Sequence, residues 1–281
     1  MKKLYLWVSA ACFSLAFQGC LQSQSGSDSQ NVLSTAAETT CPDDYPMTVT
    51  SYSGLANDIA ANTNSTWVIG NTTNTNGYRI YKYNGSGWSD YGGGATRIAL
   101  QAGTPWVANS IGSVYYLDGT WVKKSDTPSA SDIAQNDGNF LTLISKIDNK
   151  VYQKQSNTWT PFGSQQALAV SVDDMGKTWI ASIDGSNNFL KYWDGTQWIT
   201  VSGINATDVG AAENGIVFVA SSEPGTGGGE HIIYKWNASC WARVINKSTK
   251  VPLAAKRLDA VNGKTIWFVT GTHNIYSATG S

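Results

Sequence analysis

Charge is scarce in this chain: Asp, Glu, Lys and Arg make up 14% of 281 residues and nearly cancel, to a net charge of -1. Binding to a phosphate backbone needs clustered Lys and Arg, so nucleic acid is not an expected partner. Histidine is scarcer still. His231 and His273 stand alone, in neither a metal-ligand spacing nor a nucleophile motif, and Asp173-Asp174 and Glu213-Asn214 read as solvated turn residues. The expectation is a protein without catalytic residues, metal or cofactor. Long apolar runs are also missing, except for Leu4 to Phe17 behind Lys2 and Lys3. That stretch is too short for a membrane-spanning helix and has the layout of a secretory signal.

The four cysteines divide by position. Cys12 lies within the signal. Cys20 follows Gly19 and resembles the acylated first residue of a bacterial lipoprotein, although Phe17 replaces the usual Leu. Residues 1-19 are then a signal peptide, and residues 20-40, rich in Ser, Gln and Thr, are a lipidated tether too polar to fold. Its root-mean-square reach is roughly 25 Å. Leu21 and Gln22 carry no Asp-type retention signal, and the resemblance to bacterial lipoproteins then implies the outer membrane, facing the periplasm or the exterior. The membrane is then reached by the lipid anchor alone. Cys41 and Cys240 remain as a pair in an oxidising compartment, closing a loop of about 200 residues that the chain-entropy model values at roughly 5 kcal/mol.

What the chain has in quantity is aromatic residues, 12 Trp and 13 Tyr, and they recur. An apolar triplet, a Trp-aliphatic pair, a hydrophobic-Tyr pair, an Asn/Asp-Gly turn and a second Trp run from Asp58-Ile59-Ala60 through Trp67-Val68, Ile80-Tyr81 and Asn84-Gly85 to Trp88. Later copies start at Arg97-Ile98, Asp132-Ile133, Ala169-Val170, Asp208-Val209 and Arg257-Leu258, with spacings of 39, 35, 37, 39 and 49 residues. Each unit holds four short stretches rich in Val, Ile, Trp and Tyr. Asn84-Gly85, Asp118-Gly119 and Asp194-Gly195 fit type I′ hairpin turns. Six such units predict an all-β, six-bladed β-propeller over residues 41-281. The sixth unit lacks a fourth strand. Counting back eleven residues from Ile59 reaches Thr48, so Tyr45 to Thr50 is expected to complete the last blade and close the ring.

The pattern Trp-Val, Ile-Tyr-x-Tyr, Asn/Asp-Gly and Trp resembles the tectonin repeat of tachylectin-type lectins. It is clear in units one, two and four and degenerate in unit three, where Phe140-Leu141 and Ser156-Asn157 replace the Trp-Val pair and the turn. The resemblance implies a multivalent carbohydrate-binding protein, with a cell-surface glycan or lipopolysaccharide as ligand. Nine Trp recur at two fixed registers and are assigned to packing between blades. Trp193 and Trp236 break register. The long loops Asn71-Tyr78, Ser221-His231 and Asn246-Lys256 leave one face in neighbouring blades. The candidate carbohydrate-binding residues are therefore Tyr78, Arg79, Trp193, Glu230, His231, Trp236 and Lys250. A protein-interaction scaffold or adhesin of the bacterial envelope stays open as the alternative.

Overall fold

The computed structural model describes residues 42-281 except 137, 139, 140, 156 and 157. The signal, Cys20, the tether and Cys41 lie outside the described residues. Cys240 is disulfide-bonded.

The described chain is an antiparallel meander that repeats every four strands. Unit one takes the end of β1 (Asp44-Ala61), β2 (Thr66-Asn74), β3 (Gly77-Tyr83) and β4 (Trp88-Asp90). Unit two is β5 (Arg97-Gln101), β6 (Thr104-Ala108), β7 (Val114-Asp118) and β8 (Thr120-Lys123). Unit three is β9 (Ala130-Ala134), β10 (Thr142-Ser145), β11 (Lys150-Gln155) and the start of β12 (Thr158-Val172). The rest of β12, β13 (Thr178-Ile183), β14 (Phe189-Trp193) and the start of β15 (Trp198-Ala211) make unit four. Unit five adds β16 (Ile216-Pro224), β17 (His231-Asn237) and β18 (Trp241-Asn246) to the end of β15. After the two-residue β19 (Ala254-Ala255), unit six holds β20 (Arg257-Asn262), β21 (Thr265-Val269) and β22 (Asn274-Gly280). Because β1, β12 and β15 run on from one unit to the next, eighteen strands share one hydrogen-bonded network, while β5 to β8 form a separate sheet. The ladder as a whole is not closed.

The N-terminal strand supplies the fourth strand of unit six: Met47 to Leu55 pairs antiparallel with β22. Val49, opposite Ala278, occupies the register that Trp88 holds opposite Tyr83, one residue beyond the expected Thr48. The same strand begins as a parallel partner of β18, with Asp44 opposite Arg243. That pairing gives unit five a fifth strand which the repeat does not announce.

Each pair of neighbouring units shares a core. Ile59 and Val68 pack with Val269 and Ile275, and Trp67 and Ile80 pack with Ile98 and Val107. Trp67 and Trp179 are fully buried, whereas Trp88, Trp121, Trp159, Trp198 and Trp241 are half-buried and seal outer edges. Four of these indoles donate to a backbone carbonyl of the preceding unit's outer strand: Trp88 to Ser53 at 2.7 Å, Trp121 to Tyr91 at 3.0 Å, Trp198 to Phe162 at 2.8 Å and Trp241 to Ser202 at 2.9 Å. A glycine at positive φ follows each acceptor, and at Gly203 an added Cβ would stand 3.2 Å from the Trp241 ring. Trp159, in the degenerate unit three, leaves its buried Nε1 without a partner.

Two local expectations change. In the hairpin turns only the glycines Gly85, Gly119 and Gly195 take positive φ, so these are not type I′ turns, which need it at both central residues. The Asn84 and Asp194 carboxamide and carboxylate oxygens instead cap the two following free N-H groups, at Ser86 and Gly87 and at Thr196 and Gln197. In unit three, Thr142 opposite Gln153 holds the register of Trp67 opposite Lys82, in place of the expected Phe140-Leu141. Phe140, Ser156 and Asn157 lie outside the described residues.

Candidate functional site

The seven residues singled out in the sequence do not converge. Trp193 stacks on Phe162 at 5.1 Å and meets Trp198 edge-on, so its ring is taken up by packing between units three and four. Tyr78 is tied to Ala95 by a pair of backbone hydrogen bonds and packs in the core of units one and two. Arg79 is exposed and pairs with Asp90. The backbone N-H of Gly92, together with Arg79, holds the Asp90 carboxyl below its ordinary range. Glu230 is buried and bridges two loops, accepting from Gly227 N at 2.6 Å and Gly271 N at 3.3 Å. His231 starts β17 opposite Pro224 and Ala255, with a buried Nδ1 that has no partner. Lys250 is exposed at a positive-φ turn in the loop after β18.

Trp236 is different. With Tyr192, Trp179, Lys177, Met175 and Asn214 it lines a hollow of about 380 Å³ between units four and five. The Lys177 ammonium lies 4.8 Å above the Tyr192 ring, and Met175 is 76% exposed. Asp173 braces the wall by accepting from the Trp179 indole at 3.1 Å.

A second feature is apolar and lies on the face from which the second-to-third and fourth-to-first connections emerge. Ile111 is 61% exposed, Ile147 85% and Leu168 41%. Single exposed apolar side chains are ordinary; a group of them on adjoining loops is not. The chain adopts this arrangement for local reasons. Asn109 Oδ1 accepts from Ile111 N and Ser113 N, which folds a tight turn with Ile111 at its tip. Ser145 Oγ accepts from Ile147 N, Asn149 N bonds Ser145 O, and Asn149 itself sits at φ 57°. Leu168 is left out of the ladder where the register of β12 slips between Ala167 and Ala169. Backbone bonds then stitch the three segments side by side: Ala130 N to Gly112 O, Lys146 N to Ser129 O at 2.7 Å and Ala167 N to Asn149 O at 2.9 Å. Lys146 reaches over to the carbonyl of Ser110. Beside Ile147, hydrogen bonds from Ser145, Lys150 N and Tyr152 keep Asp148 below the usual carboxylate range.

This patch is not among the residues the sequence singles out. Its signal is a β-branched residue among turn formers, in Asn109-Ser110-Ile111-Gly112 and Lys146-Ile147-Asp148-Asn149, where hydrophobic periodicity is not being read. Among the described residues, no three His, Cys, Asp or Glu side chains are close enough to hold a metal ion, and no helix is long and apolar enough to cross a membrane.

No family model matches the chain, and no curated protein matches it. Solved structures do. YCF48 bound to D1 peptide aligns with a TM-score of 0.53 at 12% identity, over 85% of this chain and 98% of that one. A catalytically inactive virginiamycin B lyase from Staphylococcus aureus, with quinupristin, aligns with a TM-score of 0.54 at 12% identity, over 84% and 99%. A protein of unknown function from Bacteroides thetaiotaomicron aligns with a TM-score of 0.57 at 7% identity, over 85% and 73%. At such identities the likeness concerns the fold alone, and it defines this chain as an all-β protein of the propeller type.

Proposed function

We propose that this chain is a non-catalytic, six-bladed propeller that serves as a protein-interaction scaffold of the bacterial cell envelope, tethered through a lipid on Cys20 and pinned by a Cys41-Cys240 disulfide. The apolar group Ile111, Ile147 and Leu168 on three stitched loops carries this reading, because it offers a partner protein hydrophobic contact on rigid supports. A propeller-type neighbour that holds a peptide supports it at the level of the fold. The test is site-specific photo-crosslinking in envelope preparations from position 147, compared with position 175 on the opposite face. A discrete adduct from 147 that Ile111→Asp abolishes is the expected result. Equal labelling from both positions would remove the docking face.

The hollow at Trp236 favours a second reading, carbohydrate binding of the tectonin type. Aromatic walls beside an ammonium and an amide suit an acidic sugar or a lipopolysaccharide headgroup. A glycan and lipopolysaccharide array with residues 41-281 decides it: binding that Trp236→Ala eliminates supports the lectin reading, and a blank array ends it.

A further inference from the structure

The first residues of the six inner-strand triplets are Asp58, Arg97, Asp132, Ala169, Asp208 and Arg257. Acid and base alternate around the sequence of units until the fourth, where Ala169 interrupts them. Arg97 Nε stands 3.4 Å from Asp132, and Arg257 Nη1 stands 2.9 Å from Asp208. The other carboxylate oxygens accept backbone N-H groups of the next inner strand: Asp58 from Ile98 at 3.0 Å, Asp132 from Val170 at 3.1 Å and Asp208 from Leu258 at 2.8 Å. A fourth carboxylate, Asp259, accepts from Ala61 N at 2.8 Å. All four carboxylates and Arg257 line one cavity of about 200 Å³, whose other end is bounded by Asn62, Gln135, Asp174 and Glu213 in the first-to-second strand turns.

The charges do not balance. Four carboxylates face two guanidiniums, and Asp174 and Glu213 add no positive charge. A buried carboxylate without a counter-charge is costly, so the deficit is met by protons or by a bound cation. Burial pushes Asp58 up to about 7 in spite of Arg97 and Arg257, and burial likewise pushes Asp259 to about 7. Asp132 is raised by the same cause. A cation that donates hydrogen bonds suits the lining better than a metal ion, since the described residues hold no metal-binding group. Gln135 Oε1, at the cavity wall, is shielded from solvent and has no hydrogen-bond partner, so it stands ready as a further acceptor.

We propose that the axial cavity binds one organic cation, a primary ammonium or a guanidinium, which supplies the positive charge that Ala169 omits from the alternation. The cation is either a free amine or a Lys or Arg side chain presented by a partner. Binding displaces protons from the carboxylates it meets, so affinity rises with pH while fewer protons are left to release.

Calorimetry with butylammonium, methylguanidinium and the tripeptides Gly-Lys-Gly and Gly-Arg-Gly, in two buffers of different ionisation heat, tests this on residues 41-281. Between about pH 6 and pH 7, displacement of one proton from a carboxyl that titrates near 7 tightens binding about fivefold. Asp58→Asn and Asp259→Asn each weaken binding and flatten its pH dependence; Asp194→Asn, in an exposed hairpin turn, changes neither. Tetramethylammonium, which has no N-H donor, does not compete. Free amines binding with the tripeptides excluded assigns the site to a small molecule, and tighter tripeptide binding assigns it to a partner's side chain. No binding of any probe at millimolar concentration, or equal binding to Asp58→Asn, overturns the proposal. Both variants remove excess buried charge and keep an oxygen for the N-H they cap, so they are expected to fold, which near-ultraviolet dichroism verifies. The apolar face probed at position 147 lies elsewhere, so either idea fails without the other.

Discussion

The inner and outer edges of the repeated units are both fastened to the next unit by a side chain reaching a backbone group, with opposite polarity. On the inner edge a carboxylate accepts an N-H, as Asp58 does from Ile98. On the outer edge an indole donates to a carbonyl, as Trp241 does to Ser202. The outer fastening is neutral and adds apolar burial, so it works at any pH. The inner one is ionisable and buried, so its worth depends on proton activity. Stability is therefore provided mainly at the rim, and responsiveness at the axis.

The comparison breaks most severely at the rim. Trp241→Ala removes an indole packed against Trp236 and the core of units four and five, and should cost about 3 kcal/mol in urea unfolding, equally at low and neutral pH. The axis should answer differently. Burial pushes Asp58 up to about 7 in the folded chain, from an ordinary 3.8, so folding favours its protonated form. Its contribution is greatest below about pH 4 and is lost as pH rises through 7. Asp58→Asn should thus stabilise the fold above pH 7 by on the order of 2 kcal/mol, read as a midpoint that falls less steeply with pH, the remaining slope belonging to Asp259 and Asp132; a midpoint lower than wild type at pH 8 would contradict the sign. A smaller effect sharpens the rim: Gly203→Ala forces a side chain into φ 106° and against the Trp241 ring, costing about 1-2 kcal/mol. The smallest comes from neither edge. Arg79→Ala breaks an exposed ion pair and should leave the unfolding midpoint unchanged, since such pairs are screened by solvent.

The fold was legible because its determinants recur. A tryptophan that returns at fixed register marks strand pairing: Trp88, Trp121, Trp198 and Trp241 hold equivalent places in their hairpins. The pairing of Met47-Leu55 with β22 followed from counting, to within one residue. The parallel pairing of Asp44-Met47 with β18 was not legible, because it occurs once and answers to no repeat. The candidate site was harder to read for a related reason. Glu230 looks like a loop acid with a binding role, but its two oxygens clamp Gly227 and Gly271, and those partners lie in different units. Ile111 and Ile147 sit in turns, where the hydrophobic pattern has no period to violate. The inner charges were visible all along as the residue before five of the six apolar pairs, yet their meeting depends on five strands brought together from across the chain.

The strand that finishes the last unit is also the first to leave the ribosome. Thr48 finds its partner Thr279 only when the final residues exist, so during synthesis that strand waits with its ladder groups unmatched, which is a standing invitation to wrong pairing. Its composition answers the hazard. Met47-Thr48-Val49-Thr50-Ser51-Tyr52-Ser53 intersperses hydroxyls among its apolar groups and offers no long sticky run, so the segment can remain solvated for as long as the rest of the chain takes to arrive.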